Sequence, residues 1–173
     1  MHLLRTIIGA LLIAGAFAMP IMAQQSGDPA GLGGLAGQAG AEVNISANSL
    51  EIIEESNTAL FQGDVVINQG TMEMRAQRVE ALYGEGGPSD LVSFVASGGR
   101  VTMTFDDQTV EGDQANYDFA QRVLTFSGDV EVINPSGRVT SARLVIDTRA
   151  GTSSFSGTGG SGGRVTGVFT PGG

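Results

Sequence analysis

The side chains able to do covalent or acid–base chemistry are few. All nine basic residues are Arg, the one His is His2, and there is no Lys, Cys or Trp. Without Lys there is no P-loop, Schiff base or Ser–Lys dyad. Without Cys there is no thiol nucleophile, disulfide frame or thiolate zinc site. Carboxylates and two Tyr remain. A pair of carboxylates can cleave a glycoside, and Glu54-Glu55 and Asp106-Asp107 are adjacent pairs. Neighbours on a strand point to opposite faces, and these pairs suit exposed turns better than a shared site. No D-x-[DN]-x-[DN]-G calcium loop is present. The inventory predicts no catalytic residues, no metal ligands, no cofactor and no enzymatic activity. With 18 acidic residues and a net charge of −9, it also predicts no nucleic-acid partner, because such binding needs a basic stripe.

The chemistry left is that of apolar surface, and its position depends on the elements that carry it. Residues 1–23 have the layout of a cleavable signal peptide. A short basic start at Arg5 leads into an apolar run from Thr6 to Met19, Pro20 breaks it, and Ala23 offers the cut. The run falls short of the roughly 20 residues a spanning helix needs. The expectation is export, and periplasmic residence in a Gram-negative cell. Residues 24–41 are Gly-rich without an aromatic and predict a flexible leader. The folded domain is expected over 42–169, and 170–173 as a free tail.

Within the domain, short alternating runs rich in Val, Ile, Thr and Phe predict antiparallel β-structure with one buried face. Val43 and Ile45 alternate with Asn44, as on an edge strand lining an entrance. Val65 and Ile67 share a face with Phe61, Met72 shares one with Met74, and Val101, Met103 and Phe105 alternate with Thr. Asp106-Asp107-Gln108 and Asn134-Pro135-Ser136-Gly137 are turn chemistry.

The chain also repeats. Phe61-Gln-Gly-Asp-Val matches Phe126-Ser-Gly-Asp-Val, with weaker copies from Phe94 and Phe155, at a period of about 30 residues. Between them recurs a second element: Ala47…Leu50…Ile52, Ala76…Val79…Ala81, Gly112…Ala115…Tyr117 and Ser141…Leu144…Ile146. Each repeat predicts two strands and a turn, unable to bury an apolar face alone, so the copies must stack. Gly63 and Gly128 fall inside strand patterns, where Gly marks a bulge or bend. A bend repeated at one level curves the sheet into an open roll.

Val43-Asn-Ile-Ser-Ala-Asn-Ser-Leu, the run from Phe61 to Val79, Gly112-Asp-Gln-Ala-Asn-Tyr117 and Leu124-Thr-Phe-Ser-Gly-Asp-Val130 together resemble the OstA-like family of lipopolysaccharide-transport proteins. The resemblance covers roughly Val43 to Phe169. It implies an all-β fold: an open, twisted antiparallel β-jelly roll built from stacked two-strand repeats. It implies a periplasmic carrier that shields the acyl chains of lipopolysaccharide between the inner and outer membranes. Inner-membrane-anchored and outer-membrane components with OstA-like domains are the implied partners, with head-to-tail self-association by strand pairing. Phe94, Tyr117 and Phe119 fall at positions corresponding to the family's lipid lining. Together with Val43, Ile45, Val65, Ile67, Met72, Met74 and Phe126, they make up the expected lipid-binding groove. The chain departs from the family in its longer Gly-rich leader and Gly-rich C-terminal end. Two other readings follow from the residues: a polymerising structural β-repeat protein without lipid cargo, and a carboxylate-based glycan enzyme.

Acyl chains in water cost about 0.8 kcal/mol per exposed CH₂. A carrier must therefore offer an apolar trough that its own side chains leave unfilled. Arg75 and Arg78 are expected on a solvated outer face.

Overall fold

A computed structural model of the protein describes residues 32–38, 40–158 and 163–170. The expected signal peptide and its cut, residues 24–31 of the leader and residues 171–173 of the tail lie outside the described residues.

The strands are β1 (Val43–Ser46), β2 (Ser49–Ile53), β3 (Thr58–Gln69), β4 (Met72–Tyr83), β5 (Leu91–Ser97), β6 (Val101–Phe105), β7 (Gln108–Gly112), β8 (Gln114–Asp118), β9 (Val123–Asn134), β10 (Gly137–Asp147), β11 (Thr152–Ser156) and β12 (Thr166–Phe169). All belong to one antiparallel sheet. Eight of them are halves of broken rows. β1 and β2 both pair with β3, β5 and β6 with β4, β7 and β8 with β9, and β11 and β12 with β10. The two central broken rows join through β5–β8 and β6–β7. The result is a meander of four hairpins, one per sequence repeat, wound into an open jelly roll.

The four broken rows and the bulges of two long strands lie at the same level. In β3, Gly63 and Asp64 together oppose the single residue Gln77 of β4. In β9, Gly128 and Asp129 oppose Ala142 of β10 in the same way. All four bulge residues have left-handed backbones, with φ of 78° and 46° in β3 and 77° and 42° in β9. Gly relieves the strain at the first position, and Asp tolerates this region better than most side chains at the second. The neighbouring broken rows close onto these bulges. Asn48 N–H donates to Gly63 O at 2.9 Å, and Asp113 N–H to both Ser127 O and Gly128 O at 3.0 Å. Arg100 ties the level together from outside, through Asp129 O at 2.8 Å and the Asp113 carboxylate at 3.4 Å.

The break changes which residues face inward. In β4 the buried positions are Met72, Met74 and Ala76, then Val79, Ala81 and Tyr83. In β10 they are Val139 and Ser141, then Leu144 and Ile146. Two residues, not one, separate the series, so the phase of the alternation flips at the bend. The recurring i, i+3, i+5 spacing read from the sequence is this flip. The core contains Phe126, Ile67, Met74, Met103, Leu144, Ile146 and the buried Val residues.

The outer face is polar. Arg75 pairs with Glu73 at 2.8 Å, Arg78 with Glu80, and Arg138 with Glu131 at 2.7 Å. Turns carry the expected chemistry. Asp147 Oδ1 accepts from the backbone N–H groups of Arg149 and Ala150, and Asn134 Oδ1 from that of Ser136. Glu54-Glu55, in a short 3-10 helix (Glu54–Ser56), and Asp106-Asp107, in a turn, are exposed between strands.

One element differs from expectation. Inside the stretch read as a flexible leader, Leu32–Gln38 forms a 3-10 helix. Leu32 is fully buried and Leu35 nearly so. Gly-rich composition argues for flexibility only where nothing apolar needs covering, and here two Leu three residues apart meet an uncovered inner face.

Candidate functional site

The inner face of the roll is the one large apolar surface available for chemistry. Directly opposed residues of antiparallel strands project to the same side. Leu50 opposes Phe61, and Ile52 opposes Ala59, so this edge strand aims Leu50 and Ile52 at the interior. They are nonetheless 54% and 44% exposed, because no further row covers them. The other edge leaves Phe169 and Val168 exposed on β12.

Two cavities open along this face. The larger, about 230 Å³, is walled by Val43 and Ile45 of β1, Ala59 and Phe61 of β3, and Ala81 and Tyr83 of β4, with Pro88 and Leu91 at its end. The smaller, about 30 Å³, is lined by Met72, Met74, Phe94, Met103, Tyr117 and Leu124, with Leu35, Gln69 and Thr148. It has room for a few water molecules and none for an acyl chain.

The ten residues expected to line a groove are all inside or at the margin of the core. Val65, Ile67, Met72, Met74, Phe94 and Phe126 are buried, and Val43, Ile45, Tyr117 and Phe119 are partly buried against them. The structure gathers Met72, Met74, Phe94 and Tyr117 around the smaller cavity, and Val43 and Ile45 in the larger. Val65, Ile67, Phe119 and Phe126 line neither. Phe94, Tyr117 and Phe119 form an aromatic cluster, with ring centroids 4.7–6.1 Å apart and tilted or edge-to-face contacts.

Leu32 and Leu35 of the chain itself are buried in this interior, with Leu35 beside the smaller cavity, while the cavity of about 230 Å³ stays open. Sequence reading also omitted Met103, Leu124, Tyr83 and Leu91 from the lining. The Val101-Met103-Phe105 alternation pointed to Met103, while Leu91 and Tyr83 meet only because a register shift between Leu82 and Tyr83 places them opposite each other. Among the described residues, no three His, Cys, Asp or Glu side chains are placed to hold a metal ion, and no helix is long and apolar enough to cross a membrane.

One polar group on the inner face is unusual. Gln108 opposes Phe105 and is buried, and its Oε1 has no hydrogen-bond partner among the described residues.

Residues 44–154 match the family described as LptA/(LptD N-terminal domain) LPS transport protein. The chain belongs to that family. The OstA-like assignment drawn from the sequence therefore holds, and the match spans seven of the eight rows of the meander together with the start of β11. The LptA/LptD N-terminal fold is also recognisable in three dimensions. The crystal structure of LptH, titled the LptA homologous periplasmic component of the conserved lipopolysaccharide transport device from Pseudomonas aeruginosa, aligns with a TM-score of 0.66 at 18% identity. The alignment covers 78% of this chain and 99% of that one. At that identity the likeness establishes the shared fold. No curated protein sequence matches the chain.

Proposed function

We propose that this LptA/LptD N-terminal-family chain is a periplasmic, non-enzymatic carrier that shields the acyl chains of lipopolysaccharide on the inner face of its roll during transfer to the outer membrane. The observation that carries the reading is an apolar face open at its edge, with Leu50 and Ile52 aimed inward yet exposed beside a cavity of about 230 Å³. Family membership in lipopolysaccharide transport and the periplasmic description of the LptH structure support it. A chain of about 12 carbons avoids roughly 10 kcal/mol of unfavourable hydration by entering such a face. Met72, Met74 and Met103 suit a variable guest, because unbranched thioether chains repack readily. The acidic outer surface repels an anionic headgroup, so acyl chains supply most of the affinity.

The roll has two free edges. β2 presents Leu50, Ile52 and Ile53, and β12 presents Val168 and Phe169. Unpaired edge strands accept a strand from another subunit. These edges are the proposed contacts with membrane-bound partners of the same fold and with further copies, in a head-to-tail contact that can extend.

The test is photo-crosslinking with p-benzoylphenylalanine at Phe94 or Tyr117 in the presence of lipopolysaccharide. Lipid adducts are expected there and not at Thr102. Adducts confined to Thr102 overturn the assignment of the inner face.

A further inference from the structure

We propose that Leu32–Gln38 is a built-in substitute for lipid: it occupies the apolar interior of the empty protein and is expelled when an acyl chain enters. The proposal rests on the reading of the interior as a lipid groove, and it assigns to that groove a competitor carried on the same chain.

Two side chains of the segment are buried in the interior. Leu32 is 0% exposed and Leu35 is 5% exposed. Leu35 helps to wall the small cavity alongside Met72, Met74, Phe94 and Tyr117, which include the residues best placed to meet lipid. The remaining residues of the segment are Gly33, Gly34, Ala36, Gly37 and Gln38. A Cβ added at Gly34 would lie 2.9 Å from Phe105 Cε1, so a side chain there presses on that ring and either the ring or the segment must move.

Its hold is weak in kind. The segment belongs to no sheet ladder and rests on β10 and β11. A 3-10 helix has poor hydrogen-bond geometry, and this one has no acidic residue in its first turn and no basic residue in its last. Side-chain burial, rather than backbone pairing, is therefore what keeps it in place. An acyl chain offers the same kind of burial in the same space. The segment is followed within a few residues by β1, and just before that strand Ala41 O accepts a hydrogen bond from Gln69 Nε2 at 3.2 Å. β1 in turn carries Val43 and Ile45 in the wall of the larger cavity. Lipid arriving at that cavity meets the strand to which the plug is tethered.

A plug that must leave before lipid binds lowers apparent affinity by the fraction of molecules that are open. Removing it should raise affinity by about tenfold or more, on the scale of one or two buried Leu side chains. The experiment titrates the full mature chain with fluorescently labelled lipid A and compares it with the double variant Leu32→Ser, Leu35→Ser and with Gly34→Val. The second variant presses the segment against Phe105 and leaves both Leu in place, so it decides the matter if the first folds poorly. In parallel, p-benzoylphenylalanine at Tyr117 is expected to crosslink to residues 32–38 without lipid, and to lipid instead at saturation. Tighter binding by either folded variant, with loss of the internal adduct, supports the plug. Equal or weaker binding by both variants, or an internal adduct that persists at saturating lipid, overturns the plug and leaves the groove standing. No binding by any of the three proteins overturns the groove reading and the plug with it.

Discussion

At the scale of single residues, the buried polar side chains among the described residues are Gln108, Ser141 and Thr148, and Gln108 is the one with an unpartnered atom. Gln108 stands at an inward position of β7 with its Oε1 unpartnered among the described residues. A buried acceptor without a donor costs about 1–3 kcal/mol. Gln108→Met keeps the length of the side chain and removes that cost, so the variant should unfold at higher urea concentration, by about 1 kcal/mol in stability. An unchanged or lowered midpoint would show that the amide finds a partner in solution. The outward Arg residues carry little energy by comparison. Arg75 and Arg78 pair with Glu73 and Glu80 on the same strand in exposed positions, where such pairs are worth about 0–1 kcal/mol. Their place on the outer face agrees with the sequence expectation and leaves them far from the inner wall.

At the scale of elements, the bend is the decisive device. Gly63-Asp64 and Gly128-Asp129 insert one extra residue into two of the long strands, and the partner strands answer with a flip in the phase of burial. A strand of twelve residues without that break would present a single unbroken face to one side and could not wrap. Gly128 has φ of 77°, and a Cβ there would overlap the Asp113 side chain. Gly128→Ala is therefore expected to destabilise the protein by about 1–3 kcal/mol, read as a lower thermal or urea midpoint. A loss within error of zero would mean that the bend is not held at that residue. The repeat was legible in the sequence because its Phe-Gly units and its i, i+3, i+5 elements recur at similar spacing. What the spacing meant, a bulge in β3 and in β9 and a phase change in their partners β4 and β10, required the register.

At the scale of the whole molecule, the question is whether lipid can win the interior from the chain's own Leu32 and Leu35. Two buried Leu side chains are worth about 3–6 kcal/mol together. An acyl chain of about 12 carbons gains roughly 10 kcal/mol on the same basis. The difference favours exchange, while the segment covers part of the apolar interior of the empty protein and so limits the exposed surface that invites aggregation. The same reasoning applies to the edges. Leu50 and Ile52 on β2 are exposed, with the strand's one charge, Glu51, projecting from the opposite face, and a charged edge residue is the usual barrier to strand addition. Replacing both with Lys should reduce concentration-dependent assembly, measured by light scattering on a sizing column, while the monomer keeps its β-sheet signature. Assembly unchanged by the pair of substitutions would move the proposed contact away from this edge.

The residue inventory by itself determined a great deal. A chain without Lys or Cys, and with its only His at position 2, predicts little catalysis, and alternation with recurring Gly predicts curved antiparallel sheet, because these follow from side-chain chemistry and local backbone preference. The ten residues it pointed to as groove lining all lie in or against the core of the structure. Tertiary structure alone decided which of them line a cavity, since that depends on register shifts such as the one that sets Tyr83 against Leu91. It alone showed Leu32 and Leu35 inside the roll. Local composition around them is Gly-rich and favours disorder, and only the uncovered apolar face of a distant sheet supplies the burial that holds them there.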